Sequence, residues 1–126
     1  MKPLINIFKL LSDETRLRIV VLLVQNELCV CELSYILNVP QPNISKNLTK
    51  LKELNLVTMQ RKDKFIYYQL KNDNIMLTHI LKDVLDNLEN YPQLVIDQGR
   101  NDGSQNWLDQ SCKYPLINKK IFKVRR

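Results

Sequence analysis

Residues 32–55 decide the fold: Glu32-Leu-Ser-Tyr-Ile-Leu-Asn-Val-Pro-Gln-Pro-Asn-Ile-Ser-Lys-Asn-Leu-Thr-Lys-Leu-Lys-Glu-Leu-Asn55. Leu33, Ile36 and Leu37 share one face of a two-turn helix over Glu32 to Asn38. Asn38-Val-Pro40 stops it, because the residue before a proline avoids the α region. Pro42 then suits the first turn of a second helix, along which Ile44, Leu48, Leu51 and Leu54 recur at helical spacing. Asn55 ends that helix, since asparagine tolerates the left-handed conformation. Two helices joined by so short a turn form a helix-turn-helix.

Downstream, Leu56 to Arg61 and Phe65 to Leu70 are rich in β-branched and aromatic residues and flank Lys62-Asp63-Lys64, which predicts a hairpin. A helix-turn-helix followed by a basic-tipped hairpin is a winged helix. A long helix is expected over Asn74 to Tyr91, with Leu77, Ile80, Leu81, Val84, Leu85 and Leu88 on one face and Pro92 ending it. Upstream, Leu4, Phe8 and Leu11 mark a short helix over residues 3–11. Ser12 is the expected N-cap of the next, which runs to about Gln25 with Leu17, Val20, Val21 and Val24 facing inward. The fold class is therefore mainly α with a small β-hairpin. Residues 1–92 form the winged-helix domain, and 93–126 a polar, loosely ordered, basic-ended tail with a short helix around Asn106 to Gln110.

The chain's net charge of +6 is unevenly spread. Residues 1–39 are neutral, 40–71 carry +5, 72–112 carry −5 and the last fourteen carry +6. A cationic segment over the helix-turn-helix and hairpin is the footprint of a polyanion-binding surface, although a merely solvated basic face has the same composition. On the second helix the apolar stripe leaves Gln41, Asn43, Ser45, Lys46, Asn47 and Lys50 outward. Amides read adenine edges, and lysines reach guanine or phosphate when such a helix lies in the major groove of duplex DNA. Arg61, Lys62 and Lys64 of the hairpin suit the adjacent minor groove or its phosphates.

Three cysteines, Cys29, Cys31 and Cys112, make an odd count that suits thiols better than structural disulfides. Cys29 and Cys31 stand at the mouth of the helix-turn-helix. In a regular helix residues two apart diverge by about 200°. A soft ion shared by both thiols therefore needs the stretch around 29–33 to be non-helical or to unwind, which would disturb the helix that seats its neighbour. Buried thiols without a ligand are the plainer reading of the same spacing.

Other chemistries are poorly served. Gly99 and Gly103 are the only glycines, which argues against phosphate-cradling loops and dinucleotide-binding turns. His79 is the only histidine, so acid–base chemistry and histidine-rich zinc sites lack their residues. No Cys-X-X-Cys pair supports a thiol reductase, and no enzymatic activity is expected. The longest apolar run, Ile19 to Val24, is too short for a bilayer, and no secretory core is visible, so a cytoplasmic protein without membrane association is expected.

Three boxes occur in one order: Leu11-Ser-Asp-Glu-Thr-Arg-Leu-Arg-Ile19, Glu27-Leu-Cys-Val-Cys-Glu-Leu33 and Gln41-Pro-Asn-Ile-Ser-Lys-Asn-Leu48. Together they resemble the ArsR/SmtB family of metalloregulatory repressors over residues 3–91, and the second box is similar to that of arsenic-responsive members. The resemblance implies a homodimer through the first and last helices that binds an inverted-repeat DNA operator. It further implies release when arsenite or antimonite, As(III) or Sb(III), binds the cysteines. A Cd/Pb-responsive or thiol-redox-responsive repressor is the alternative on the same fold. The chain departs from the family pattern at Ser34, where a third cysteine stands in members with three thiols, and at Asn47 and Asn55, where histidine and glycine are frequent. A third metalloid ligand then comes from Cys112, or Cys29 and Cys31 suffice.

Overall fold

A computed structural model describes residues 1–103. The chain order is α1 (Lys2–Leu11), α2 (Glu14–Leu23), β1 (Leu28–Cys29), α3 (Val30–Leu37), α4 (Gln41–Glu53), β2 (Val57–Lys62), β3 (Phe65–Leu70), α5 (Ile75–Asp86), a 3-10 turn (Leu88–Asn90) and α6 (Pro92–Asp102). This is the winged helix-turn-helix expected from the sequence, with one strand and one helix more than its periodicity indicated.

Helix α2 is the central member. Ile19, Val20, Val21, Leu22 and Leu23 are all buried, so burial surrounds the helix instead of following a stripe. Ile and Val lose rotamer freedom in a helix, and enclosure compensates them here. Its cap is Asp13, not Ser12: the Asp13 carboxylate accepts the Arg16 N–H at 3.0 Å, whereas the Ser12 hydroxyl donates back to the Lys9 carbonyl at the end of α1. On α1 the buried residues are Ile7 and Leu10, and Phe8 is left 56% exposed.

Helix α3 begins two residues before Glu32, at Val30, and ends on Asn38, which takes φ 56° as a left-handed cap before Pro40. Ile44, Leu48 and Leu51 anchor α4 in the same core as Leu33, Ile36 and Leu37. Asn55 is left-handed as expected, φ 59°, and the Leu56 N–H returns to the Leu51 carbonyl at 3.1 Å.

The hairpin pairs Val57 with Leu70 through to Lys62 with Phe65. Lys62 is thus the last strand residue, and the turn is Asp63-Lys64 with Asp63 at φ 59°. β1 adds a third strand on the other side of β3, with Leu28 opposite Tyr68 and Cys29 opposite Tyr67. Two residues carry too little alternation to be recognised in sequence.

The long helix expected to Tyr91 stops at Asp86, where Asn87 leaves the helical region, and the 3-10 turn leads into α6. Residues 93–102 are therefore helical and packed, where a loose tail was expected. Pro92 starts this helix as well as following the last one. The buried positions of α6 are Leu94, Asp97 and Asn101, while Val95 and Ile96 are exposed. A stripe with two polar members out of three is invisible to hydrophobic periodicity. The helix expected at Asn106 to Gln110 lies outside the described residues. No helix among those described is long and apolar enough to cross a membrane.

Candidate functional site

Burying Ile44, Leu48 and Leu51 turns the opposite side of α4 to solvent. Gln41, Asn43, Ser45, Lys46 and Lys50 are exposed there. Gln41 and Asn43 lie in the first turn, where the helix dipole favours negative charge, although the Asn43 N–H already donates to the Pro40 carbonyl at 3.0 Å and Pro42 has no N–H. Asn47 is set apart from this group. Its Oδ1 accepts from Arg16 Nη1 at 3.2 Å, and its Nδ2 donates to the Asn43 carbonyl at 2.8 Å. The amide that sequence placed among base readers thus ties α4 to α2.

Arg16 also donates through Nε to the Leu10 carbonyl at 3.3 Å, and it lines a cleft of about 290 Å³ with Asn6, Lys9, Leu10, Lys50 and Leu54. The cleft brings Lys9 and Arg16 beside Lys50 of α4. Sequence reasoning missed both, because each falls in the electroneutral segment of residues 1–39 and only folding carries it to the cationic face.

On the hairpin, Arg61 and Lys64 are exposed. Lys62 differs: it is half-buried, forms an ion pair with Glu27, and holds its ammonium 5.4 Å from the centre of the Tyr67 ring.

The cysteine pair occupies the junction of β1 and α3. Cys29 is the N-cap, extended at φ −96° and ψ 172°, and shares a capping box with Glu32, whose Oε1 accepts the Cys29 N–H at 2.9 Å. It is buried against Tyr67, with Cys31 and Phe65 packed on the same cluster. Cys31 is the second residue of α3. The backbone is therefore already non-helical at the first cysteine, the condition under which sulfurs at i and i+2 are not forced to opposite sides of a helix. Against the expectation of thiols throughout, Cys29 alone among the described cysteines is a thiol, and Cys31 is disulfide-bonded. Reduction would make both available, and two thiolates fit a thiophilic trivalent metalloid better than a hard cation. Among the described residues there is no group of three or more His, Cys, Asp or Glu placed to hold a metal ion. Cys112 lies outside those residues. His79 is on the exposed side of α5 with Lys82, Asp83 and Asp86.

Residues 13–59 match the family model described as bacterial regulatory protein, arsR family. The arsenical resistance operon repressor of Escherichia coli strain K12 is 46% identical over 67 residues, covering 52% of this chain and 57% of that protein. The transcriptional repressor SdpR of Bacillus subtilis strain 168 is 33% identical over 97 residues, covering 77% of this chain and 97% of its own length. Among solved structures, the transcriptional repressor BigR from Xylella fastidiosa superposes with a TM-score of 0.59 at 31% identity, over 64% of this chain and 81% of that one. The chain spans little more than half the length of the arsenical-resistance relatives it matches.

Proposed function

The chain belongs to the arsR family of bacterial regulatory proteins, and from that premise we propose that it is a homodimeric repressor released from an inverted-repeat DNA operator by trivalent arsenic or antimony. The observation that carries this reading is the position of the cysteines. They sit where β1 turns into α3, immediately ahead of the helix that presents Gln41, Asn43, Ser45, Lys46 and Lys50.

In this reading α4 enters the major groove, Arg61 and Lys64 lie along the flanking backbone, and phosphate neutralisation dominates affinity. In the reduced chain each thiol adds to arsenite as one As–S bond forms and one As–OH bond breaks. The thiol proton leaves with that hydroxide as water. Two thiols release two waters and leave one hydroxyl on arsenic; a third, from Cys112, would release the last. Bringing two sulfurs onto one ion constrains the first turn of α3, and α3 packs directly on α4 through Leu33, Ile36, Leu37, Ile44 and Leu48.

The test is a titration of arsenite, Cd²⁺ and Zn²⁺ against the reduced full-length protein bound to its own upstream DNA. Wild type should leave the DNA on arsenite addition, and Cys29→Ser and Cys31→Ser should remain bound. Cys112→Ser reports whether two sulfurs suffice. Release by Cd²⁺ with indifference to arsenite would replace the metalloid reading by a cadmium one. Arsenite release of both Cys29→Ser and Cys31→Ser would remove the cysteine pair from the mechanism.

A further inference from the structure

Lys62 is the one basic hairpin residue that the fold binds to itself. Its ammonium is paired with Glu27, one residue before β1, and lies over the ring of Tyr67. Tyr67 in turn stands opposite Cys29, the last residue of β1, and the two side chains pack together in the small cluster that also receives Cys31 and Phe65. Both ends of the two-residue strand are therefore connected to Lys62: the front through Glu27, the back through Cys29 and Tyr67. Lys62 also sits between Arg61 and the Asp63-Lys64 turn, and so at the tip of the wing.

We propose that Lys62 is a positioning residue and not a DNA contact: with Glu27 it couples the strand that carries Cys29 to the wing, so that ligation at the cysteines displaces the wing as well as α3. The proposal rests on the effector reading above and adds a second route from the thiols to DNA. β1 is held to the sheet by only two residue pairs, Leu28 with Tyr68 and Cys29 with Tyr67, so it is the part of the sheet most readily moved. Movement of β1 shifts Glu27, and Glu27 carries the ammonium of Lys62 with it. A half-buried ion pair reinforced by an aromatic face transmits such a shift better than a solvated lysine, whose charge follows water. Arg61 and Lys64, exposed on either side, are left as the hairpin's phosphate contacts.

Two measurements on the full-length protein test this. The first is the salt dependence of operator binding without effector. Each phosphate contact contributes about 0.9 to the slope of log affinity against log salt. Lys64→Met, which removes one contact from each subunit of the dimer, should lower the slope by about 1.8, and Lys62→Met should leave it at the wild-type value. A loss for Lys62→Met equal to that for Lys64→Met overturns the proposal whatever the effector proves to be.

The second is the factor by which arsenite weakens operator binding, read at equal arsenic occupancy followed by the sulfur-to-arsenic ultraviolet absorption. Coupled sites differ typically by about 5–150-fold. Glu27→Gln and Lys62→Met should each lower the factor clearly below the wild-type value, leaving the share that α3 carries, without loss of arsenic binding. The charge-exchanged double variant Glu27→Lys with Lys62→Glu should recover much of the loss. Wild-type factors in both single variants overturn the coupling. If wild type itself ignores arsenite, the effector reading fails first, and the salt measurement decides the role of Lys62 by itself.

Discussion

Arg18 of α2 grips Asp97 of α6 with both arms of its guanidinium, Nε to Oδ2 and Nη2 to Oδ1, each at 2.9 Å. The same Nη2 donates to the Leu37 carbonyl at 2.8 Å, and Arg100 of α6 donates to the Ile36 and Tyr35 carbonyls while lying 4.5 Å over the Tyr35 ring. Three carbonyls that end α3 are thus answered by two guanidinium groups, at the terminus where the helix dipole favours cations. α3 is fixed at its C-terminal end and carries the cysteines at the other. The hydrogen bond with Asp97 outweighs burial and raises the Arg18 pKa above its already high value. A raised basic pKa keeps its stabilisation at every pH below the ordinary value, so the arginine's charge is present throughout the working range.

Removing one partner of this pair strands a charge at a site where the side chains are 11% and 3% exposed. Asp97→Ala should lower folding stability by about 3 kcal/mol, since breaking a buried pair typically costs 3–5. Urea denaturation measures it. The double variant Arg18→Met with Asp97→Leu should lose much less than the two single losses added together, because no charge is then left buried alone.

The elements that read from sequence are those whose burial is apolar. α4 was legible because Ile44, Leu48 and Leu51 are both the stripe and the buried set, and the hairpin because β-branched and aromatic residues flank a polar turn. α6 was not, because its inward residues include Asp97 and Asn101, and the arginine that justifies Asp97 lies 79 positions away. β1 was hidden by its length, and its partner Tyr67 is fixed only by the sheet. The candidate site shows the same division. Which residues of α4 face out follows from helical period. That Asn47 would be taken by Arg16, or Lys62 by Glu27, depends on contacts between distant elements.

Asn43 and Asn47 are one turn apart on α4 and should fail differently. Asn43 has an exposed side chain, so Asn43→Ala should relax the choice among operator sequences by about 1–3 kcal/mol at one base pair, with stability unchanged. Asn47→Ala removes the acceptor of Arg16 and should cost about 1 kcal/mol in folding while leaving base preference intact. Binding to a panel of single-base operator variants, set beside denaturation curves, separates the two.

Lys9 shares the cleft of Lys50 and Arg16 although it lies on α1, far from the cationic segment in sequence. If that cleft faces the DNA backbone, Lys9→Met and Lys50→Met should weaken binding uniformly across sequences, and each should lower the salt slope of the dimer by about 1.8, one contact per subunit. Fluorescence anisotropy over a salt series checks both. A slope unchanged by Lys9→Met would place the phosphate path on α4 alone.

The proposed dimer should depend on apolar residues that one subunit leaves in water. Ile5 and Phe8 on α1, and Ile75 and Met76 on α5, are 44%, 56%, 70% and 37% exposed. Asn74, the cap of α5, lines a cleft together with Pro3, Asn6 and Ile7 of α1, so the two helices border one region of the surface. Covering a phenylalanine is worth roughly 1.5–3 kcal/mol, and a two-fold interface uses it twice. Phe8→Glu should therefore give a monomer by sedimentation at micromolar concentration, with the circular dichroism of the wild type, because Phe8 is outside the core formed by Ile7, Leu10 and α2. Operator binding should fall with it. A dimer spans two half-sites about 34 Å apart, and a monomer holds one recognition helix and half of the phosphate contacts. A Phe8→Glu protein that stays dimeric would move the interface away from α1, and the exposed face of α5 would then be tested next with Ile75→Glu.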